Sequence, residues 1–325
     1  MGSGMAGAST GVVLAAMVAN AGIAVLKFVG FLLTGSPSML AETYHSISDT
    51  GNQVLLLVGI KYSQREATQA HPFGYGKAQF FYAFLVSVLL FGIAGWESLT
   101  HGYEELSHGG HETESGAAEF LGVTVDVPLP VDPFWVSVAV LLGGIAFETY
   151  AFLKARAELK RQIDEYGWSG YREAFQRTSD LTTLTAFTED TVALLGLSVA
   201  LVGIVAARVF HNPVYDAAGA IVIGVLLMLF AVLLAIENKR LIVGESLDER
   251  VEADLRTAIE SFDGVRHVDA FRTVFIGPRE VLVTADVSFD HDLDTGEVDQ
   301  VIERVETALR QREGRVTIVY VEPEV

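Results

Sequence analysis

The chain has 325 residues, half of them apolar, with no cysteine and a net charge of −19. Without thiols there are no disulfides and no thiolate metal ligands, so any metal site must draw on His, Asp, Glu, Asn or water. The acidity excludes nucleic-acid binding, which calls for a basic surface.

The apolar residues gather before residue 240 in six blocks, at 11–33, 38–60, 79–101, 133–155, 182–208 and 214–237. Each is near the length that crosses about 30 Å of hydrocarbon. The first lacks a basic leader and is too long for the core of a cleavable signal peptide, so it is expected to remain as a span. It carries one deep charge, Lys27.

The second block opens on SPSMLAETYHSISDTGNQ, polar where lipid favours leucine. On a helix, offsets of three and four nearly complete a turn, so Glu42, His45, Asp49 and Asn52 share one stripe. A charge at bilayer depth costs at least ~2.5–3.5 kcal/mol, and such residues usually face a cavity or a pathway. His with a carboxylate at i+4 can grip one divalent cation from a single helix face. A polar patch that only satisfies helix–helix hydrogen bonds is the plainer alternative.

A short polar connection containing HPFGYGK (71–77) leads to the third block, followed by HGYEELSHGGHETESGAAE. His101, His108 and His111 there either gather metal ions or sit in a solvated connector. The fourth block carries Glu148. The fifth contains LTTLTAFTEDTVALLG, with Glu189 and Asp190 well inside the apolar run. Neither can snorkel from that depth, so both should face inward toward a counter-charge. A cation shared between spans two and five would draw on His45, Asp49, Asp190 and either Glu189 or a water. Neighbouring helical residues point about 100° apart, so Glu189 and Asp190 cannot both ligate without distortion. For Lys27 and for Glu148 the expected role is a structural ion pair or one bridging to Glu189, with direct metal ligation by Glu148 as the alternative.

Basic residues set the topology. Lys61, Arg65 and Lys77, then Lys154, Arg156, Lys160, Arg161, Arg172 and Arg177, then Lys239 and Arg240 fall on alternate connections, whereas the opposite set holds Arg208. The positive-inside rule places both termini in the cytoplasm.

Beyond residue 240 the pattern becomes soluble. Val251, Leu255, Ala258, Ile259 and Phe262 repeat at helical spacing, as do Val298, Val301, Ile302, Val305 and Leu309. Between them lie strand-like runs at 268–276 and 280–289, turned by Gly277-Pro278, and VTIVYVE closes the chain. The expected order is α-β-β-α-β, with helices on one face of a three-stranded sheet. Two domains follow: 1–240, six transmembrane helices, and 241–325, a soluble α+β domain.

SPSMLAETYHSISDTGNQ, HPFGYGK, EDTVALLG and the α-β-β-α-β tail together resemble the cation diffusion facilitators, and are most similar to the zinc transporter 9 branch. The resemblance covers nearly the whole chain. It implies a homodimer whose protomers exchange a divalent cation for protons, and a ferredoxin-like cytoplasmic domain that helps dimerise. Typical zinc-exporting members carry a His or Asp four residues before the Asp of span five; here Ala186 stands before Asp190. Members also tend to have a second His in the HPxGxG loop, where this chain has Tyr75. His267 and His291 do not fall clearly on the family's cytoplasmic metal positions.

The expected function is a Zn²⁺/H⁺ antiporter that exports metal from the cytoplasm across a bilayer, in a prokaryotic cell membrane. Its metal ligands are His45, Asp49, Asp190 and Glu189; Mn²⁺, Fe²⁺ or Co²⁺ is the alternative substrate. A membrane metal sensor that transports nothing is the rival reading. A passive channel would need a polar stripe through several spans. No H-E-x-x-H or similar hydrolytic set marks an enzyme.

Overall fold

A computed structural model of the protein describes residues 3–107, 118–120, 123–125, 132–177 and 181–324. The chain folds as two compact units: residues 1–55 with 85–235, and residues 56–84 with 236–325.

The helices follow the apolar blocks. They are α1 (Ser3–Thr34), α2 (Pro37–Ser63) and α3 (Ala78–Leu89), which passes through a π-helical turn at Leu90–Gly95 into α4 (Trp96–Ser107). A small hairpin of β1 (Ala118–Phe120) and β2 (Val123–Val125) precedes α5 (Pro133–Tyr166), α6 (Tyr171–Arg177), α7 (Leu181–Phe210) and α8 (Val214–Val243). Among the described residues, 78–107, 133–165, 186–210 and 214–243 are long and apolar enough to cross a membrane. In α1 the stretch Asn20–Thr34 is apolar. The 27 residues of α2 span about 40 Å at 1.5 Å each, long enough to cross; its polar stripe lowers the hydropathy.

Local chemistry sets the ends of these helices. Asp132 caps α5 by accepting from the Phe134 backbone N–H, Pro133 takes the first turn, and Gly167 closes the helix at φ +66°. α5 runs eleven residues beyond the expected 155, because LKARAELKRQ continues with strong helix formers.

In the first unit, helices approach closely wherever a glycine removes a side chain. A Cβ at Gly95 would meet Met228 Cγ at 2.7 Å, one at Gly224 the Leu99 nitrogen at 2.7 Å, and one at Gly203 the Tyr215 carbonyl at 3.0 Å. The core is built from Phe31, Met39, Leu141, Leu197, Ile223 and Leu227. The start of α2 is held from α8: Asp216 Oδ1 accepts from the Ser38 N–H at 3.2 Å, and Ser38 Oγ donates to the Asp216 carbonyl at 2.8 Å. Ser36 Oγ caps the same end by accepting from the Met39 N–H at 3.2 Å, and the Asp216 carboxylate satisfies a further N–H of that first turn.

The second unit carries the C-terminal α+β domain, with α9 (Glu249–Glu260), β3 (Val265–Gly277), β4 (Glu280–Phe289), α10 (Thr295–Arg312) and β5 (Val316–Glu324). The order is α-β-β-α-β, as expected. β4 lies in the middle, antiparallel to β3 and parallel to β5. Val281, Val283, Ala285, Val287 and Phe289 all turn inward, meeting Leu255 and Ile259 of α9 and Val301, Val305 and Leu309 of α10. Asp294 and Glu297 form a capping box that starts α10. In the same unit the 71–77 loop lies against the β3–β4 turn, where a Cβ on Gly76 would sit 2.5 Å from the Ile276 carbonyl and 2.8 Å from Gly277 Cα. Lys77 Nζ donates to the Ile242 carbonyl at 3.4 Å.

Candidate metal site

His45 and Asp49 sit one turn apart on α2, with Nε2 and Oδ2 3.6 Å apart, too long for a hydrogen bond. His45 is 1% exposed, and neither ring nitrogen has a hydrogen-bond partner. A buried imidazole left unsatisfied at both nitrogens costs free energy and calls for an explanation. The Asp49 carboxyl is hydrogen bonded to Glu189 of α7. Glu148 of α5 and Asp190 of α7 act on Asp49 electrostatically, and Glu148 acts on Asp190. Asp49 is thus the group on which Glu42, Glu148, Glu189 and Asp190 converge, with His45 one turn away.

His45, Asp49 and Glu189 are thus brought into one place, with Asp190 close by. Among the described residues, however, no three His, Asp or Glu side chains stand where together they could hold an ion. Of the pair on α7, it is Glu189 rather than Asp190 whose carboxyl contacts Asp49.

Lys27 is in a structural ion pair, as expected, and its partner is Glu42. Its Nζ is 2.8 Å from Glu42 Oε2, and the two side chains are 1% and 0% exposed. Glu148 is close enough to feel Lys27 electrostatically but is not its partner. The other Glu42 oxygen, Oε1, is buried without a hydrogen bond, and a Cβ on Gly196 of α7 would lie 2.5 Å from it. The cap that Asp216 provides for α2 was unforeseen; its only signal was an acidic residue in the first turn of an apolar helix.

Among the described residues the remaining histidines give no second cluster. His101 is half-buried on α4, and His108 and His111 lie outside the described residues. His71 stacks on Tyr75 with ring centroids 4.3 Å apart. His291 Nε2 accepts from the Arg266 guanidinium at 2.7 Å, and His267 is exposed on β3. Outside the spans, burial raises the Glu280 pKa, whereas hydrogen bonds from Arg312 and Arg315 lower those of Asp254 and Glu313.

A multi-pass helical bundle with a buried histidine–carboxylate knot, joined to a small α+β domain, is the architecture of a membrane metal-handling protein. The family profile of the cation efflux transmembrane domain matches residues 13–243, and that of the cation efflux protein cytoplasmic domain matches 247–324. The chain belongs to the cation efflux family, the cation diffusion facilitators. It is 27% identical over 279 residues to the human mitochondrial proton-coupled zinc antiporter SLC30A9, covering 86% of this chain and 46% of that protein. It is 28% identical over 266 residues to metal tolerance protein C4 of Arabidopsis thaliana, 82% of this chain and 54% of that one. With the magnetosome protein MamM of Magnetospirillum gryphiswaldense the identity is 23% over 297 residues, 91% and 82% of the two chains. The chain spans about half the length of the first two relatives.

Proposed function

We propose that the protein exchanges a divalent metal cation for protons across a membrane, exporting the metal from the cytoplasm, with Zn²⁺ as its substrate. The observation that carries this reading is His45, buried and without a protein partner at either nitrogen, beside Asp49 that meets Glu189 across two helices. In this reading His45, Asp49 and Asp190 hold the ion, and Glu189 or a water completes the shell. Imidazole suits Zn²⁺, and the carboxylates add charge that compensates the cation in a medium of low dielectric. His45 is the proton carrier: its ordinary pKa lies near neutrality, and a metal must displace its proton to bind. Metal and proton then compete for one place, which is what couples exchange. The names of the relatives, one a proton-coupled zinc antiporter, point the same way.

The abundance of carboxylates over histidine favours Mn²⁺, Fe²⁺ or Co²⁺ as the second reading. The protein is proposed to act as a homodimer through residues 241–325. Its membrane domain is 1–240, with both termini in the cytoplasm of a prokaryotic cell. The test is metal-dependent proton flux in proteoliposomes, comparing the native chain with His45→Ala and Asp190→Ala. Loss of Zn²⁺/H⁺ exchange in both variants, with normal folding, supports the site. Native rates in Asp190→Ala would move the second half of the site to Glu189 or Glu148. Zinc binding without any flux would make the protein a sensor.

A further inference from the structure

The Lys27–Glu42 pair lies to one side of the His45–Asp49–Glu189 knot, and always in the same direction. On α2, Glu42 is three residues from His45 toward Pro37, about 4.5 Å along the axis. On α7, Gly196, which faces Glu42 Oε1, is seven residues beyond Glu189 toward Phe210, roughly 10 Å. On α5, Gly144 precedes Glu148 by four residues, and a Cβ there would lie 3.8 Å from Lys27 Cε. The three displacements lead toward the Gly35 turn, the Phe210 end of α7 and the start of α5. At that same end Arg208 of α7 joins Asp132, the cap of α5, at 2.5 Å. The pair therefore forms a layer between the knot and one end of the bundle.

Charge is a poor choice for gluing helices together. Two ions taken out of water lose hydration that their attraction barely returns, and apolar residues of equal size hold helices at least as well. The pair is also incompletely satisfied, because Glu42 Oε1 has no partner and rests against the bare backbone of Gly196. It is the contact with Gly196 that can part: Glu42 faces α1 through one oxygen, held by Lys27, and α7 through the other, held by nothing.

We propose that Lys27 and Glu42 form the gate that closes the cation path on the Gly35 side. Lys27 occupies Glu42 as a tethered cation while the path is shut. When α2 and α7 separate, the Glu42 carboxylate faces the opening and is the first group past the knot to meet a departing divalent cation. This rests on reading the knot as a cation site.

The absence of native cysteines gives a direct test. Ser46 is 4% exposed and lies one turn below Glu42 on the same face of α2, so a reagent from the Gly35 side must pass the pair to reach it. Ser46→Cys is labelled with a membrane-impermeant thiol reagent in sealed vesicles, from each side in turn. The background is either the native pair, the neutral pair Lys27→Met/Glu42→Gln, or the exchanged pair Lys27→Glu/Glu42→Lys. Labelling from the Gly35 side should be slow in the native background and faster by about tenfold or more with the neutral pair, a shift of at least one decade in the open population. It should return to slow with the exchanged pair. Unchanged rates overturn the gate, and so does a rise that is equal from both sides, which reports general loosening. Zinc titration of the chain with native Ser46 reads the knot separately, free of the added thiol. Binding with no effect of the pair on labelling rejects the gate alone; gated labelling without zinc binding rejects the cation site alone.

Discussion

Removing Lys27 should be one of the most damaging single changes in the first unit, and removing its partner as well should undo most of the harm. At 2.8 Å the two charges attract by about 6 kcal/mol at an effective dielectric of 20. Each ion forfeits several kcal/mol of hydration when buried, so the pair as a whole is close to neutral for stability. Lys27→Met erases the attraction and leaves Glu42, 0% exposed, with an uncompensated charge. The expected cost is about 3–5 kcal/mol. At roughly 2–4 °C per kcal/mol for a folding unit of this size, the melting temperature falls by about 6–20 °C. Lys27→Met/Glu42→Gln should recover to within about 1 kcal/mol of the native protein, since no buried charge remains. The assay is a double-mutant cycle on protein in nanodiscs, following thermal unfolding by intrinsic fluorescence. The reasoning fails if Lys27→Met lies within 1 °C of native, or if the double variant is no more stable than the worse single one.

Three further outcomes follow from particular contacts. Gly76→Ala puts a methyl against the backbone of the β3–β4 turn, 2.5 Å from the Ile276 carbonyl and 2.8 Å from Gly277 Cα, so it should cost about 1–3 kcal/mol. Hydrogen exchange should then quicken at 71–77 and at the β3–β4 turn, while Gly22→Ala, with nothing within 4 Å, leaves both unchanged. Burial holds the Glu280 pKa above its ordinary value of 4.5, so the native state binds this proton more tightly than the unfolded chain does. Stability should therefore rise as pH falls from neutrality through that raised pKa toward 4.5, and decline as pH rises again. Glu280→Gln should flatten that slope in pH-dependent melting of the full chain; parallel slopes would refute the assignment. Asp216→Ala removes the acceptor that caps α2 through Ser38 and should lower stability by about 0.5–2 kcal/mol. Asp216→Asn keeps an oxygen in place and should stay near native in the same melt.

What could be read from the chain alone divides along the range of the interactions. The inward row of β4 and the stripe of α2 obey local periods of two and 3.6 residues, so the side chains at Val281 through Phe289, and at His45 and Asp49, were legible before any fold was known. The extra length of α5 was legible too, had LKARAELKRQ been weighed for helix propensity and not for hydropathy alone. The rest depended on which helix faces which. Lys27 and Glu148 were both legible as deep, isolated charges in need of partners. Yet depth says nothing of azimuth, and α1 presents Lys27 to α2.

One clue to that pairing did exist. Gly35 and Ser36 alone separate α1 from α2, and Gly35 takes φ +66°, which turns the chain sharply back. Two helices joined so tightly run antiparallel, and residues equally far from the turn become neighbours. Lys27 stands eight residues before Gly35 and Glu42 six after Ser36, which leaves them about 3 Å from level along the two axes. Their contact is therefore written into the turn, and so is its stiffness, because a two-residue link leaves α1 and α2 little freedom to slide. Any motion that opens the Gly35 side must then come from α7, whose Gly196 meets Glu42 with backbone and no side chain. Gly196→Ala would drive a methyl to 2.5 Å from Glu42 Oε1 and force those two helices apart at that level. It should speed labelling of Ser46→Cys from the Gly35 side while Lys27 and Glu42 stay paired. Labelling as slow as in the native background would mean that α7 is not the moving wall.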